Sequence, residues 1–197
     1  MKILFFSDLH GDFGILRNLK KKSSEADLVV SAGDLSTMER DLSELVSRLN
    51  SFNKPVLMIH GNHEDEDVMR KQCNKHENIT FLHKAVHHVD DYIFMGYGGD
   101  GFSTNDPNFT KIANMFFKKE AKDKRRMILV THGPPYDTKI DVLGNEPRGN
   151  KSYRQFIDEI QPHLAISGHL NENSGKHHKI GRTLFINPGK EGVIVNI

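Results

Sequence analysis

Two packed β-sheets with helices outside them, a layered α/β sandwich in one domain, is the fold this sequence predicts, and three observations predict it. Short apolar runs of strand length alternate with helical periodicities over the first two thirds of the chain, the pattern of βαβ units around a mostly buried sheet. Two other stretches, 79–97 and 176–195, carry β-like pieces with no helix between them, which reads as antiparallel pairing. The length, 197 residues, matches one domain with room for an insertion at about 150 residues per domain, so residues 1–197 are taken as one unit.

Residues 3–6 read as the first strand, followed by 28–31, 56–59, 127–131 and 164–167, all short and apolar as buried strands are. Between them Leu42, Leu45, Val46 and Leu49 recur at helical spacing, as do Phe109, Ile112, Ala113 and Phe116, so each set marks an amphipathic helix. Tyr153, Phe156, Ile157 and Ile160 repeat that spacing, with a capping box from Ser152 to Gln155 at the start and Pro162 at the stop. Two Gly-rich polar stretches, 98–108 and 133–150, are long enough to be site-forming loops.

Composition narrows the function classes. Hydrophobic residues at 37% and charged residues at 27% exclude collagen-like, mucin-like and disordered chains. A net charge of +1 provides no global field to recruit nucleic acid or an anionic membrane. Lys118, Lys119, Lys122, Lys124, Arg125 and Arg126 cluster, but Glu120 and Asp123 interrupt them, so a solvated helix end is the reading, and a nucleic-acid partner is left open but not favoured. Cys73 is the single cysteine, which rules out an internal disulfide and a thiolate zinc site and points to a reducing compartment, the cytoplasm. The first apolar run is too short to span a membrane, and Asp8 follows too soon for a signal peptide. Oligomeric state is not legible at this level.

The chemistry is written at the strand ends. Asp8 and His10 follow the first strand, Asp34 the second, Asn62 and His63 the third, His132 the fourth and His169 the fifth. Residues just past parallel strands share one crevice even when far apart in sequence. Two-residue spacing in extended chain places Asp8 with His10, and His169 with Asn171, on a common side. Carboxylate, imidazole and amide oxygen form a mixed set suited to manganese, iron, zinc, nickel or cobalt. His60, beside Gly61, is a candidate to support Asn62 or His63 from behind. Arg148, Lys151 and Arg154 are candidates to hold a second phosphate.

Taken together, Asp8-Leu9-His10, Gly33-Asp34, Gly61-Asn62-His63-Glu64, Thr131-His132-Gly133 and Gly168-His169 resemble the motifs of the calcineurin-like metallophosphoesterases, in particular its small single-domain prokaryotic members. The 131–136 stretch and Asn187-Pro188-Gly189 add to the likeness. The resemblance implies a four-layer α/β/β/α sandwich of two packed mixed sheets and a pair of divalent transition metal ions, manganese first. Asp8, His10 and Asp34 would hold one ion; Asp34, Asn62, His132 and His169 would hold the other; Asp34 would bridge. His63 would be the histidine that assists at the phosphoryl group without ligating. One position departs: Asn171 stands where the family has a second histidine, which loosens the first site because an amide is a weaker donor than imidazole.

The expected activity is hydrolysis of a small phosphate mono- or diester by a metal-bridging hydroxide, since no serine or cysteine nucleophile stands with a base. A non-catalytic scaffold and a nuclease are the alternatives, separated from it by metal content and by salt-dependent binding to DNA.

Overall fold

The structure, a computed structural model, describes residues 1–99, 101–121 and 125–197. Lys122, Asp123 and Lys124 of the basic cluster, and Asp100 of the first long loop, lie outside the described residues. Among the described residues the chain runs β1 (Lys2–Phe6), α1 (Phe13–Ser23), β2 (Leu28–Ser31), α2 (Leu42–Asn50), β3 (Val56–Met58), α3 (Glu66–Cys73), β4 (Ile79–Phe81), β5 (Ala85–Val89), β6 (Tyr92–Tyr97) and α4 (Pro107–Ile112). It continues through a π-turn (Ala113–Phe117), α5 (Lys118–Glu120), β7 (Arg126–Thr131), the hairpin β8 (Val142–Leu143) and β9 (Glu146–Pro147), and α6 (Lys151–Ile160). Then come β10 (Leu164–Ser167), a 3₁₀ turn (Asn171–Asn173), β11 (His177–Ile180), β12 (Thr183–Ile186) and β13 (Val193–Asn196).

One sheet has the order β13-β1-β2-β3-β4 and the other β11-β12-β10-β7-β6-β5. Strict alternation builds the layers. Ile3 and Phe5 of β1 face the second sheet with Val30, Phe94, Ile128 and Ile166, while Leu4 and Phe6 face helices α1 to α3 with Leu19, Leu45 and Met69. A third core packs α4 and α6 on the far side of the second sheet through Met95, Phe109, Leu129, Tyr153 and Phe156. A strand apolar on both faces is what a sheet covered on both sides requires. The result is the four-layer α/β/β/α sandwich with two mixed sheets.

Pairing is more mixed than the antiparallel expectation. β4 pairs parallel with β3 in the first sheet; the chain then crosses to the second, where β5 and β6 pair antiparallel and β6 runs parallel to β7. In the tail β11 and β12 pair antiparallel, but β12 runs parallel to β10 and β13 returns to lie antiparallel to β1. Two helices differ from the sequence reading. The 109–116 helix is interrupted by the π-turn, whose extra residue moves the buried face from Phe116, which is exposed, to Phe117. The cap of α6 is Asn150, whose Oδ1 accepts from Ser152 N at 2.8 Å and Tyr153 N at 3.2 Å; the Ser152 hydroxyl accepts from Asp106 N instead. No helix is long and apolar enough to cross a membrane. Cys73 is buried in the first core and burial pushes its thiol up to about 12, so it packs as an apolar residue.

Candidate metal centre

The parallel strands of both sheets end at one seam, and the donors stand there in order: Asp8 past β1, Asp34 past β2, Asn62 and His63 past β3, His132 past β7 and His169 past β10. Bonds across the seam lock the halves together. His169 N donates to both Asp8 oxygens at 2.9 and 3.1 Å, and His132 Nδ1 donates to the Ala32 carbonyl at 2.9 Å. Within the first sheet the two leading loops pair, Asp8 N to Gly33 O and His10 N to Asp34 O, each at 3.0 Å.

Backbone geometry here is not the extended chain that two-residue spacing suggested. Asp8 (φ 55°), His10 (φ 49°), Asp34 (φ 52°) and His169 (φ 70°) all adopt left-handed conformations, which cost of order 1–3 kcal/mol each and cluster at functional sites. Asp8 and His10 thus enter the seam from a turn and not from the shared face of an extended strand. Gly61 allows the close approach, since a Cβ there would collide with the Asp34 carboxylate.

Asp34 is the hub. Its Oδ2 lies 3.4 Å from His132 Nε2, 3.8 Å from His10 Nε2 and 3.9 Å from His63 Nε2, and its Oδ1 accepts from His63 N at 3.0 Å. Two triads form around it, Asp8–Asp34–His132 and His10–Asp34–His63. In one triad Asp8 lies beside His132; in the other His63 stands edge-on to His10 with ring centroids 4.9 Å apart. Asn62 Oδ1 lies 3.0 Å from His132 Nε2. The His169 ring packs edge-on to His132 at 5.1 Å. Asn171 sits exposed on the 3₁₀ turn, lining a cavity of about 750 Å³ together with Asp8 and His10.

Electrostatics point to a cation. Among the described residues no lysine or arginine pairs with Asp8 or Asp34, although both are buried, and buried carboxylates need a counter-charge. Burial pushes the Asp34 carboxyl up, but the His132 hydrogen bond and charge and the His63 N–H outweigh it and hold the group below the ordinary carboxylate range. Burial also raises Asp8, and there it wins. His132 would be lowered by burial, yet the Asp34 carboxylate and the Asp8 charge push it up to about 9. With Nδ1 committed to Ala32 O, the proton so retained is on Nε2, where it faces Asp34 Oδ2 and Asn62 Oδ1. A divalent cation fits the place of that proton, and the backbone carbonyl behind His132 fixes the tautomer a ligand needs.

One support was not assigned from sequence, and the one that was, His60, acts on a different loop. Glu64, buried, accepts from Ser36 N, Ser36 Oγ and Gly61 N at 2.7 to 2.9 Å, tying the Asp34 loop to the Asn62 loop; its place directly after Asn62-His63, opening toward a helix, was the available signal. His60 turns away from Asn62 and His63. Its ring packs edge-on to His83 at 4.5 Å and its carbonyl accepts from Gly99 N at 3.1 Å, while His83 Nδ1 accepts from Gly98 N at 2.7 Å. These two histidines therefore hold the chain at Gly98 and Gly99. Burial drives His60 down to about 4 and His83 to about 3, so both stay neutral.

Known proteins resemble this chain in sequence and in fold. A protein of Methanocaldococcus jannaschii named as uncharacterized protein MJ1162 is 27% identical over 99% of this chain and 91% of its own length. The symmetrical bis(5'-nucleosyl)-tetraphosphatase of Buchnera aphidicola is 28% identical over 81% of this chain, which spans 57% of that relative. The crystal structure of TT1561 of Thermus thermophilus superposes with a TM-score of 0.78 at 18% identity, covering 96% of this chain and 90% of that one, and shares the fold. Residues 1–172 match the model of the calcineurin-like phosphoesterases, and the chain belongs to that family.

Proposed function

We propose that this chain hydrolyses small phosphate esters at a pair of divalent transition metal ions, manganese first, with iron, nickel, zinc or cobalt as alternatives. Asp8, His10, Asp34, Asn62, His132 and His169 hold the ions, with Asp34 shared and Asn171 completing the first site in place of a histidine. The observation that carries the reading is Asp34 itself, one buried carboxylate within 3.4 to 3.9 Å of three imidazole nitrogens and paired with no lysine or arginine among the described residues. Two such ions supply an acidified water and neutralise charge on the phosphoryl oxygens.

The chain's own residues do the rest. Asp8 and Asp34, fixed by the backbone N–H groups of His169 and His63, keep the donor set rigid, so little reorganisation is needed as charge develops. His63, half-buried beside His10 and anchored through its N–H to Asp34, hydrogen-bonds the phosphoryl group and hands a proton to the leaving oxygen. Monoesters and diesters both suit this machinery.

The test is reconstitution with manganese, nickel, cobalt and zinc in turn, followed by metal analysis and assay on p-nitrophenyl phosphate and bis-p-nitrophenyl phosphate with a chelator control. Two equivalents of metal and chelator-sensitive turnover of either ester are expected; protein that stays metal-free in excess transition metal would overturn the assignment.

A further inference from the structure

Beyond His169 lies a second cavity, of about 470 Å³, lined by Phe102, Tyr136, Arg148, Lys151 and His169 among others. Its volume is in the range of small-molecule sites. Among the described residues no carboxylate lines it, whereas the cavity on the Asp8–His10 side carries Asp12 and Glu191 against Lys190. An anionic group attached to the substrate therefore meets the cations Arg148 and Lys151 on this side of the seam.

The basic cavity is also built in advance. Asp141, fully buried, accepts from the backbone N–H groups of Asp137, Thr138 and Gly149 at 2.8 to 2.9 Å and so fixes the curve of the second long loop. Asn150 Nδ2 donates to Ser103 O and Lys151 N to Thr104 O, each at 2.7 Å, which fastens that loop to the first. On this wall Phe102 is 73% exposed, its ring edge-on to His169 at 4.3 Å. A large apolar ring left in water beside the donor set is a stacking surface. Lys151 Nζ lies 5.0 Å from the Tyr136 ring centroid and makes no ion pair among the described residues, and Arg148 is held only by exposed Glu146, a partner worth little. Arg154, the third cation of the sequence reading, is taken up by Asp158 and the carbonyls of Tyr136 and Asp137.

We infer that this cavity receives the part of the substrate remote from the scissile phosphate and selects a planar ring joined to a second phosphate, a nucleoside diphosphate being the simplest case. The inference rests on the hydrolase reading above. For ADP the step is attack of water on the terminal phosphorus, cleavage of its bond to the bridging oxygen, and departure of that oxygen on AMP with a proton.

Four probes separate the contributions: methyl phosphate has neither feature, phenyl phosphate the ring, pyrophosphate the second anion and ADP both. In the wild type kcat/KM is expected to be highest for ADP. Lys151→Ala should lower the ADP-to-phenyl phosphate preference about tenfold, the worth of a hydrogen bond to a charged group, and Phe102→Ala should lower the ADP-to-pyrophosphate preference by a similar factor. ADP binding to the metal-free protein, measured by calorimetry, should weaken in both variants, with thermal unfolding as the check on folding. If methyl phosphate is turned over as well as ADP, or the preferences do not move in either variant, the subsite is wrong while the hydrolase stands. If no probe is turned over with any metal but Lys151→Ala still weakens ADP binding, the subsite stands and hydrolysis fails. Failure of ADP to bind the wild type overturns the subsite in either case.

Discussion

The two triads that share Asp34 differ in exposure. Asp8, Asp34 and His132 are all buried, whereas His10 and His63 on the other side of Asp34 are half open to solvent. Asp8 and Asp34 supply negative charge to the closed triad, and two backbone groups pin it, His169 N on Asp8 and Ala32 O behind His132. The open triad has one carboxylate and two imidazoles, and its rings rest on each other. A closed, charge-rich set is suited to a cation, while an open one is within reach of solvent. The difference in exposure within one seam follows from where each side chain's strand ends, in the depth of the sandwich or at its lip.

This contrast can be broken most severely at the residue both triads use. Asp34→Ala should strip both ions and take phosphoesterase turnover to background, with elemental analysis as the readout; retention of two ions would dissolve the sharing. Next in size is His63→Ala, which should lower turnover about a hundred- to ten-thousand-fold while leaving metal content near normal. Loss of metal along with turnover would make His63 a ligand and the open triad a true binding set.

The closed triad makes a pH prediction. Against the burial that lowers it, His132 is pushed up to about 9 by Asp34 from about 6.5 in the unfolded chain. In metal-free protein this interaction stabilises fully below about pH 6.5 and is lost as pH rises through about 9. Metal must displace the same proton, so apparent affinity for the closed site should rise about tenfold per pH unit up to about pH 9 and then level off; calorimetric titration in buffers of different ionisation enthalpy counts the proton released. A flat affinity across that range would place the proton elsewhere. The smallest effect is expected from Asn171→His, which should tighten the weaker ion several-fold by restoring an imidazole on the Asp8–His10 side; unchanged affinity would show that the amide or a neighbour already serves.

Much of the centre was legible because its donors interrupt apolar runs. Asp8, Asp34, Asn62, His132 and His169 each stand where a buried strand stops, and a carboxylate or imidazole there has no packing reason to exist. The structure brings Asp8, His10, Asp34, Asn62, His63 and His132 within reach of one another, while His169 reaches the centre through its N–H and Asn171 waits at a cavity wall. Helix α1 escaped the pattern reading because a run of lysines dilutes its apolar stripe, although Asp12 caps it at Gly14 and Ile15. Phe102 and Asp141 carried no signal at all, since a loop aromatic and a loop carboxylate look alike whether idle or structural.

Sequence alone determined the layers and the candidate donors, because burial on both faces of a strand and a polar residue at its end are local properties of the chain. Only the tertiary structure decided which of these side chains meet. That β7 and β10 lie in one sheet and β1 to β3 in the other, that Asp8, His10, Asp34 and His169 turn left-handed, and that His132 comes beside Asp8 and Asp34, all depend on hydrogen bonds between segments as far apart as Asp8 and His169. Such pairings are set by the packing of the whole core.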